Sequence, residues 1–184
     1  ASMLEEDEEI GASLPEAARM MLLVMTRQLE QLNEQIKLLD KEIARRARED
    51  DAARRLMTIP GIGPIAATAL VALAPPVEGF ARGRDFAAWL GLTPRQHSTG
   101  GKERLGAISR MGERTLRRLL IIGSSAVVRQ ASKRGAPRGS WLEQMLARKP
   151  RMLVTVALAN KTARIVWAVL MKKEDYRAPV AAAA

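Results

Sequence analysis

The 184-residue sequence contains no cysteine and one histidine, His97. Disulfides and cysteine-based metal sites are therefore excluded, and a single histidine leaves no histidine cluster for zinc. Aromatic residues make up 3% of the chain, so the 47% hydrophobic fraction must form a core mainly of Leu, Ile, Val, Ala and Met. No apolar run approaches the roughly 18 residues of a membrane span. The acidic N-terminus does not resemble a secretory signal, and we expect a cytosolic protein.

The positive charge of the chain is concentrated in one stretch. The formal net charge is +10, but residues 81–151 carry 16 Lys and Arg against four Asp and Glu, a local net charge of +12. A cationic segment of this density is typical of proteins that contact a phosphate backbone. The alternative is a basic protein without a nucleic-acid partner.

A heptad pattern dominates the first third of the chain. Residues 14–55 are predicted to form a coiled-coil helical arm, with the helix continuing to about Thr58, because apolar residues recur at alternating spacings of 3 and 4. These seam residues are Leu22, Met25, Leu29, Leu32, Ile36, Leu39 and Ile43. The seam favours pairing between two chains or within one, and the alternative is an amphipathic helix packed on its own domain. The acidic tail 1–13 and the tail 178–184 are predicted to be disordered.

Residues 56–74 resemble the helix-hairpin-helix DNA-binding motif. Gly61 and Gly63 permit a tight hairpin, Pro64 suits the first turn of the following helix, and Ile59 and Ile62 anchor the hairpin in the core. Amides at that helix N-terminus can hold a DNA phosphate without reading sequence. The alternative is a plain joint between two helices.

Residues 95–112 are predicted to form an exposed loop. Two hydroxyls, Ser98 and Thr99, precede Gly100, Gly101 and Lys102. Gly100, Gly101, Gly106 and Gly112 are expected to keep the loop open for close approach of the backbone to a ligand, and the cations suit a polyanion. A helix from about Glu113 to Gln130 follows, with three arginines on one face. The predicted phosphate-binding cations are Arg95, Lys102, Arg104, Arg110, Arg114, Arg117 and Arg118.

The remainder of the chain is read as helical. Helices are predicted over 64–74, 141–148 and 153–171, and no segment is a convincing strand, so the fold class is all-α. Phe80, Phe86, Trp89 and Leu90 are expected to pack inward. Asn160 and Lys161 interrupt an apolar helix. The preferred interpretation is a helix surface that faces water, and the alternative is that they orient the site or touch phosphate.

The serine loop fits two chemical roles. A serine that attacks a phosphodiester needs an exposed hydroxyl, positive charge for the transition state and a proton acceptor. Ser98 and the nearby cations meet the first two requirements. His97 is a weak candidate for the third because adjacent side chains often point apart. Hydroxyls, glycine amides and arginines also make a phosphate clamp without catalysis, and spacing alone does not separate the two.

Several blocks in this order resemble the C-terminal half of transposases of the insertion-sequence one-ten family, the bridge-RNA-guided recombinases. The heptad helix is similar to the coiled coil that precedes these blocks in the family. The blocks that carry the resemblance are residues 59–63 (IPGIG), 86–94 (FAAWLGLTP), 98–102 (STGGK), 105–112 (LGAISRMG), 116–120 (LRRLL) and 157–164 (ALANKTAR).

The resemblance implies a fold, a nucleophile and partners. The family pairs an RNase H-like domain with four acidic metal ligands and a C-terminal domain whose serine forms a covalent link to cleaved DNA. That serine falls on Ser98, and Thr99 matches a position where the family has Ser or Thr. No RNase H-like domain precedes the heptad helix here, so we expect a C-terminal part without cofactor or metal site, the divalent metal belonging to the missing domain.

These observations lead to one functional prediction with two alternatives. Residues 56–177 are interpreted as the helical C-terminal domain of a DNA transposase or recombinase, inactive without its RNase H-like domain. Its expected partners are DNA, a guide RNA and further copies of itself through the coiled coil, in a bacterial or archaeal cytosol and without a membrane. The alternatives are a non-catalytic DNA- or RNA-binding module that dimerises, and a purely structural oligomerisation module.

Overall fold

The computed structural model describes residues 15–96 and 105–178, which are almost entirely helical. The described part contains seven α-helices, a 3₁₀ turn at Val77–Gly79 and one two-stranded sheet. The all-α prediction is therefore confirmed. The helices are α1 (Glu16–Glu49), α2 (Asp51–Leu56), α3 (Pro64–Leu73), α4 (Gly83–Trp89), α5 (Arg114–Arg134), α6 (Trp141–Arg148) and α7 (Arg151–Lys172).

The sheet corrects the expectation that the chain has no strand. Pro94–Gln96 forms β1 and Leu105–Ile108 forms β2, and the two strands pair antiparallel. The open loop predicted for residues 95–112 is therefore a β-hairpin in its described parts. β1 has three residues and β2 has four, including Gly106. Strands this short do not show the alternation of apolar and polar residues by which a strand is recognised in sequence.

Contacts within the chain divide it into two units, residues 1–42 and 43–184. In its described part the first unit consists of the N-terminal part of α1. Six seam residues there, Leu22 to Leu39, are between 49% and 62% exposed. The heptad segment is thus helical as predicted. Among the described residues of that unit, no side chains bury the seam.

Asp50 interrupts the helix that the sequence predicts as continuous to about Thr58. Its backbone is extended (φ −85°, ψ 121°), and its carboxylate accepts a hydrogen bond from the Ala53 amide at 2.7 Å. This is N-cap geometry, which ends α1 at Glu49 and starts α2. Asp50 therefore separates α1 from α2, and its side chain caps the start of α2.

The core of the second unit is built around α7, which packs against α4 and α5. Phe86, Leu90, Leu116 and Val166 are fully buried. Phe80 and Trp89 pack against this core, and the Phe86 ring lies 5.7 Å from the Trp89 ring. The prediction that Phe80, Phe86, Trp89 and Leu90 face inward is confirmed, and Trp89 serves the core.

Among the described residues, α7 is the one helix long and apolar enough to span a membrane by length and composition. Its apolar sequence is interrupted by Asn160, Lys161 and Arg164, so no continuous apolar run of that length is present. Seven residues of α7, from Val154 to Val169, are buried within the second unit. Core helices pass the same test of length and composition, and this burial accounts for the apolar character of α7.

Candidate nucleic-acid interface

The β-hairpin presents the segment that contains the predicted nucleophile. Pro94 pairs with Ile108 and Gln96 with Leu105, with an irregularity in register between them. Residues 97–104 connect the two strands. His97, Ser98, Thr99, Gly100, Gly101, Lys102 and Arg104 therefore lie outside the described residues, and their predicted roles stay predictions. The structure fixes the two strand ends from which this segment departs.

Two tight turns hold the base of the hairpin against the core. Gly91 and Gly112 have positive φ angles of 70° and 99°, and Arg110 adopts a left-handed conformation with φ 56°. The Arg110 amide donates a hydrogen bond to the Gly91 carbonyl oxygen at 3.1 Å, and the Ser109 amide donates to the Thr93 carbonyl oxygen at 2.9 Å. The turn at 110–112 is therefore bound directly to the turn at 91–93.

Only glycine fits at the closest approach of these turns. A Cβ atom on Gly112 would lie 1.7 Å from the Trp89 carbonyl oxygen, and one on Gly91 would lie 2.1 Å from the Met111 carbonyl oxygen. Real Cβ atoms do not approach backbone atoms so closely. Gly112 is one of the glycines expected to keep the loop open. In the structure it instead permits close packing of the backbone at the base of the hairpin.

Arg117 joins α5 to both turns. Its Nη1 donates hydrogen bonds to the carbonyl oxygens of Leu90 at 3.0 Å and Gly112 at 3.4 Å. The neighbouring Arg114 and Arg118 are exposed, whereas Arg117 is half-buried. The three arginines predicted to share a phosphate-binding face therefore have different surroundings, and Arg117 already has acceptors within the protein.

Two further predicted cations flank the hairpin strands. Arg95 lies on β1 with an exposed side chain, and its Nη2 donates to the Ser109 carbonyl oxygen at 3.1 Å. Arg110 is exposed at the end of β2. The structure thus places Arg95 on β1 and Arg110 in the turn at the base of the hairpin.

The segment predicted to be a helix-hairpin-helix consists of α2, a tight turn and α3. Ile59 and Ile62 are buried as predicted, and Pro64 occupies the first turn of α3. Gly61 has φ 88° and packs against Gly123 of α5, whereas the Cα of Gly63 faces open space. No described side chain caps α3, so its first amides remain available to an anion. The DNA-binding role of this turn stays a prediction.

Asn160 and Lys161 lie side by side on α7. Both are half-buried, so the preferred interpretation of a surface facing water is wrong. Asn160 Nδ2 donates to the Leu92 carbonyl oxygen at 3.0 Å, which ties α7 to the strand entering the hairpin. Lys161 Nζ lies 4.6 Å from the centre of the Trp141 ring. The signal in the sequence was the polar pair inside an apolar run.

The electrostatic surroundings of Lys161 are unusual. Partial burial, and then the charge of the neighbouring Arg164, lower the pKa of Lys161 below its ordinary value of 10.5. Among the described residues, no group of three or more His, Asp or Glu side chains has the geometry of a metal site. The described groups that could act on a ligand are therefore mainly cations and amides.

Comparison with known proteins places this arrangement in a family. The model described as "Transposase IS116/IS110/IS902 family" matches residues 53–138. Residues 53–138 are therefore a domain of the IS116/IS110/IS902 transposase family. They run from α2 to beyond α5 and include the hairpin with its connecting segment. This is the family that the sequence blocks resemble.

Three named transposases are similar to this chain. It is 46% identical over 166 residues to the "Probable family 20 transposase" of Pseudomonas aeruginosa, a span of 90% of this chain and 49% of the relative. It is 38% identical over 138 residues to the transposase for insertion sequence element IS1111A of Coxiella burnetii and 40% identical to that for IS1328 of Yersinia enterocolitica. These two matches span 75% of this chain and 38% and 41% of the relatives. The chain thus spans about half, or less, of the curated relatives it matches.

Proposed function

We propose that this chain is the part of a DNA transposase that binds DNA and supplies a serine nucleophile, Ser98, for strand cleavage and transfer. The observation that carries the proposal is the hairpin. Its base is anchored by Gly91, Gly112 and Arg117, and its two strands deliver the ends of segment 97–104. Anchored strands suit the positioning of a nucleophile, which accounts for much of its reactivity.

The proposed reaction transfers a phosphoryl group to the serine and then to a new strand. Ser98 Oγ attacks the phosphorus of a phosphodiester and loses its proton. An Oγ–P bond forms while one P–O bond to a deoxyribose oxygen breaks, and that oxygen takes up a proton. A hydroxyl of another strand reverses the step and releases Ser98. The two non-bridging oxygens share one negative charge in the diester, and their charge increases as Oγ adds to phosphorus, so nearby guanidinium groups stabilise the transition state.

The cations at the hairpin support this chemistry. Arg95 lies on β1, Arg110 lies in the turn that follows β2, and Arg114 and Arg118 are exposed at the start of α5. Lys102 and Arg104 lie within the connecting segment itself. The first amides of α3, beside Gly63, add a backbone contact to phosphate. Together with Gly61, Thr99, Gly100 and Gly101, these groups form the proposed DNA-binding set.

Further copies of the chain, a guide RNA and a separate catalytic half complete the proposal. The exposed seam of α1 supports self-association as a coiled coil. The guide RNA and the RNase H-like half with its divalent metal rest on the family resemblance. The described residues of this chain do not offer the acidic ligand set that such a metal needs. Cytosolic action on DNA in a bacterium or archaeon follows from the same family.

Covalent trapping tests the nucleophile. A full-length transposase containing this chain is incubated with its cognate nucleic acids, denatured, and examined for a protein–DNA adduct. We expect the adduct in the wild type and in Thr99→Ala, and its loss in Ser98→Ala while DNA binding persists. An adduct that survives Ser98→Ala would make the segment a phosphate clamp and assign the chemistry to another residue, which is the non-catalytic alternative.

A further inference from the structure

A groove opens beside the hairpin, within the second unit. Its walls are α5, α7, the strand β2 and Trp141 of α6, and its volume is about 1310 Å³. Pockets for small molecules typically enclose about 300–1,000 Å³. The groove is therefore large enough for a segment of a polymer.

Every charged side chain among the described residues that line the groove is a cation. These side chains are Arg110, Arg117, Lys161 and Arg164. Lys161 and Arg164 are close enough for each to oppose the other's charge, and partial burial deprives Lys161 of some water. A bound anion would relieve both costs, whereas a cationic or neutral ligand would not. The groove thus favours a polyanion.

The remaining lining is mainly apolar, which distinguishes it from a surface for duplex DNA. Met152 and Leu153, 70% and 50% exposed, continue into Val156 and Ile165 along α7, and the Trp141 ring stands at the edge. A duplex presents charged backbones on its outside and covers the faces of its bases by stacking. An unpaired strand exposes base faces that can pack on apolar and aromatic side chains while its phosphates meet cations.

We propose that this groove binds an unpaired polynucleotide strand. Its phosphates contact Arg110, Lys161 and Arg164, and its bases pack on Trp141 and on the Met152–Leu153 wall. The inference rests on the proposed function and specifies the form of the nucleic acid. Because Pro94 and Gly106 to Ile108 also line the groove, the bound strand runs beside the hairpin. The groove would thus hold a strand separated from its complement next to the two hairpin strands.

The first test uses the unaltered chain and therefore does not depend on any variant folding. Labelled dT15, rU15, a 15-mer of abasic deoxyribose phosphates and a 15-base-pair duplex are titrated by fluorescence anisotropy at one salt concentration. The abasic strand keeps the charge and removes the bases. We expect its Kd to be at least about fivefold higher than that of dT15. The comparison of dT15 with rU15 shows whether the strand is DNA or RNA.

The second test locates the contact. We expect dT15 to quench tryptophan fluorescence in the wild type and much less in Trp141→Phe, which retains Trp89 and Trp167. Lys161→Gln should raise the Kd for dT15 at least about threefold, since one phosphate contact is lost. Lys172→Gln is the matched control, because it removes the same charge from the exposed end of the same helix, and it should change the Kd little.

The outcomes separate the two proposals. Equal affinity for dT15 and the abasic strand, with no quenching assigned to Trp141, overturns the groove proposal. If the duplex still binds in that case, the proposed function stands. Failure to bind any of the four nucleic acids overturns both. An acidic amphipathic helical peptide that binds wild type but not Lys161→Gln, with strand binding unchanged between them, would make the groove a protein docking site and also overturn the proposal.

Discussion

A Cβ atom on Gly123 of α5 would lie 2.0 Å from the carbonyl oxygen of Gly61, in the turn before α3. The reverse substitution is also crowded, since a Cβ on Gly61 would lie 2.8 Å from the Gly123 carbonyl oxygen. The two backbones thus meet without an intervening side chain. This contact fixes the turn of the predicted helix-hairpin-helix against the helix that follows the β-hairpin.

Gly123→Ala should therefore destabilise the chain. In an isolated helix the change would gain about 1 kcal/mol of helix propensity. Here the methyl group forces α5 away from Gly61, and such overpacking typically costs about 1–3 kcal/mol. Denaturant unfolding measures the difference, and Gly63→Ala is the control because nothing lies within 4 Å of its added Cβ. A Gly123→Ala variant more stable than wild type would show that this contact is absent.

Arg117→Gln should lower stability more than Arg114→Gln or Arg118→Gln. All three remove one positive charge from the same helix, but only Arg117 among them donates to Leu90 and Gly112. Loss of charge-assisted hydrogen bonds of this kind costs about 1.5–3 kcal/mol. Thermal unfolding of the three variants checks the order. Equal losses would mean that Arg117 does not hold the hairpin base.

Leu39→Ser should weaken self-association, and Leu38→Ser should not. The two leucines are neighbours, 62% and 66% exposed, yet only Leu39 lies on the heptad seam. Burying a leucine in a coiled-coil seam contributes about 1.5–3 kcal/mol, so the dissociation constant should rise at least about tenfold. Analytical ultracentrifugation over a concentration series measures this change. A monomeric wild type, or equal effects of both substitutions, would contradict the proposed coiled coil.

Replacing Lys161 by methionine should alter how stability depends on pH. Because partial burial and Arg164 lower the pKa of Lys161 in the folded chain, the unfolded chain binds that proton more tightly. The cost of the folded charge is complete below the folded pKa and is relieved as the pH rises toward the unfolded value of 10.5. The free energy of unfolding of wild type relative to Lys161→Met should thus increase with pH across that interval.

Denaturant unfolding at several pH values between 7 and 10.5 measures this difference. Lys172→Met, at the exposed end of the same helix, controls for the loss of one lysine. A difference between wild type and Lys161→Met that falls with pH would reverse the assigned direction of the pKa shift.

Much of the helical structure follows from sequence pattern. The helix predicted for 141–148 is α6, and those predicted for 64–74 and 153–171 correspond to α3 and α7 within two residues at each end. Proline at the N-terminal ends and continuous apolar periodicity mark these helices locally. The break at Asp50 was missed because an aspartate within a charged run does not reveal whether its side chain caps a helix.

The features of the candidate site were likewise predictable from the sequence only in part. The cationic stretch, the glycine-flanked Ser98 and the heptad seam are visible in the sequence, because each depends on residue type and local spacing. The contacts of Arg117 with Leu90 and Gly112, the position of Lys161 over Trp141 and the groove between α5 and α7 become visible in the folded chain. Arg117 lies 27 positions from Leu90, and Asn160 lies 68 positions from Leu92, to whose carbonyl oxygen it donates. Close packing of distant segments creates these contacts, and no local pattern encodes it.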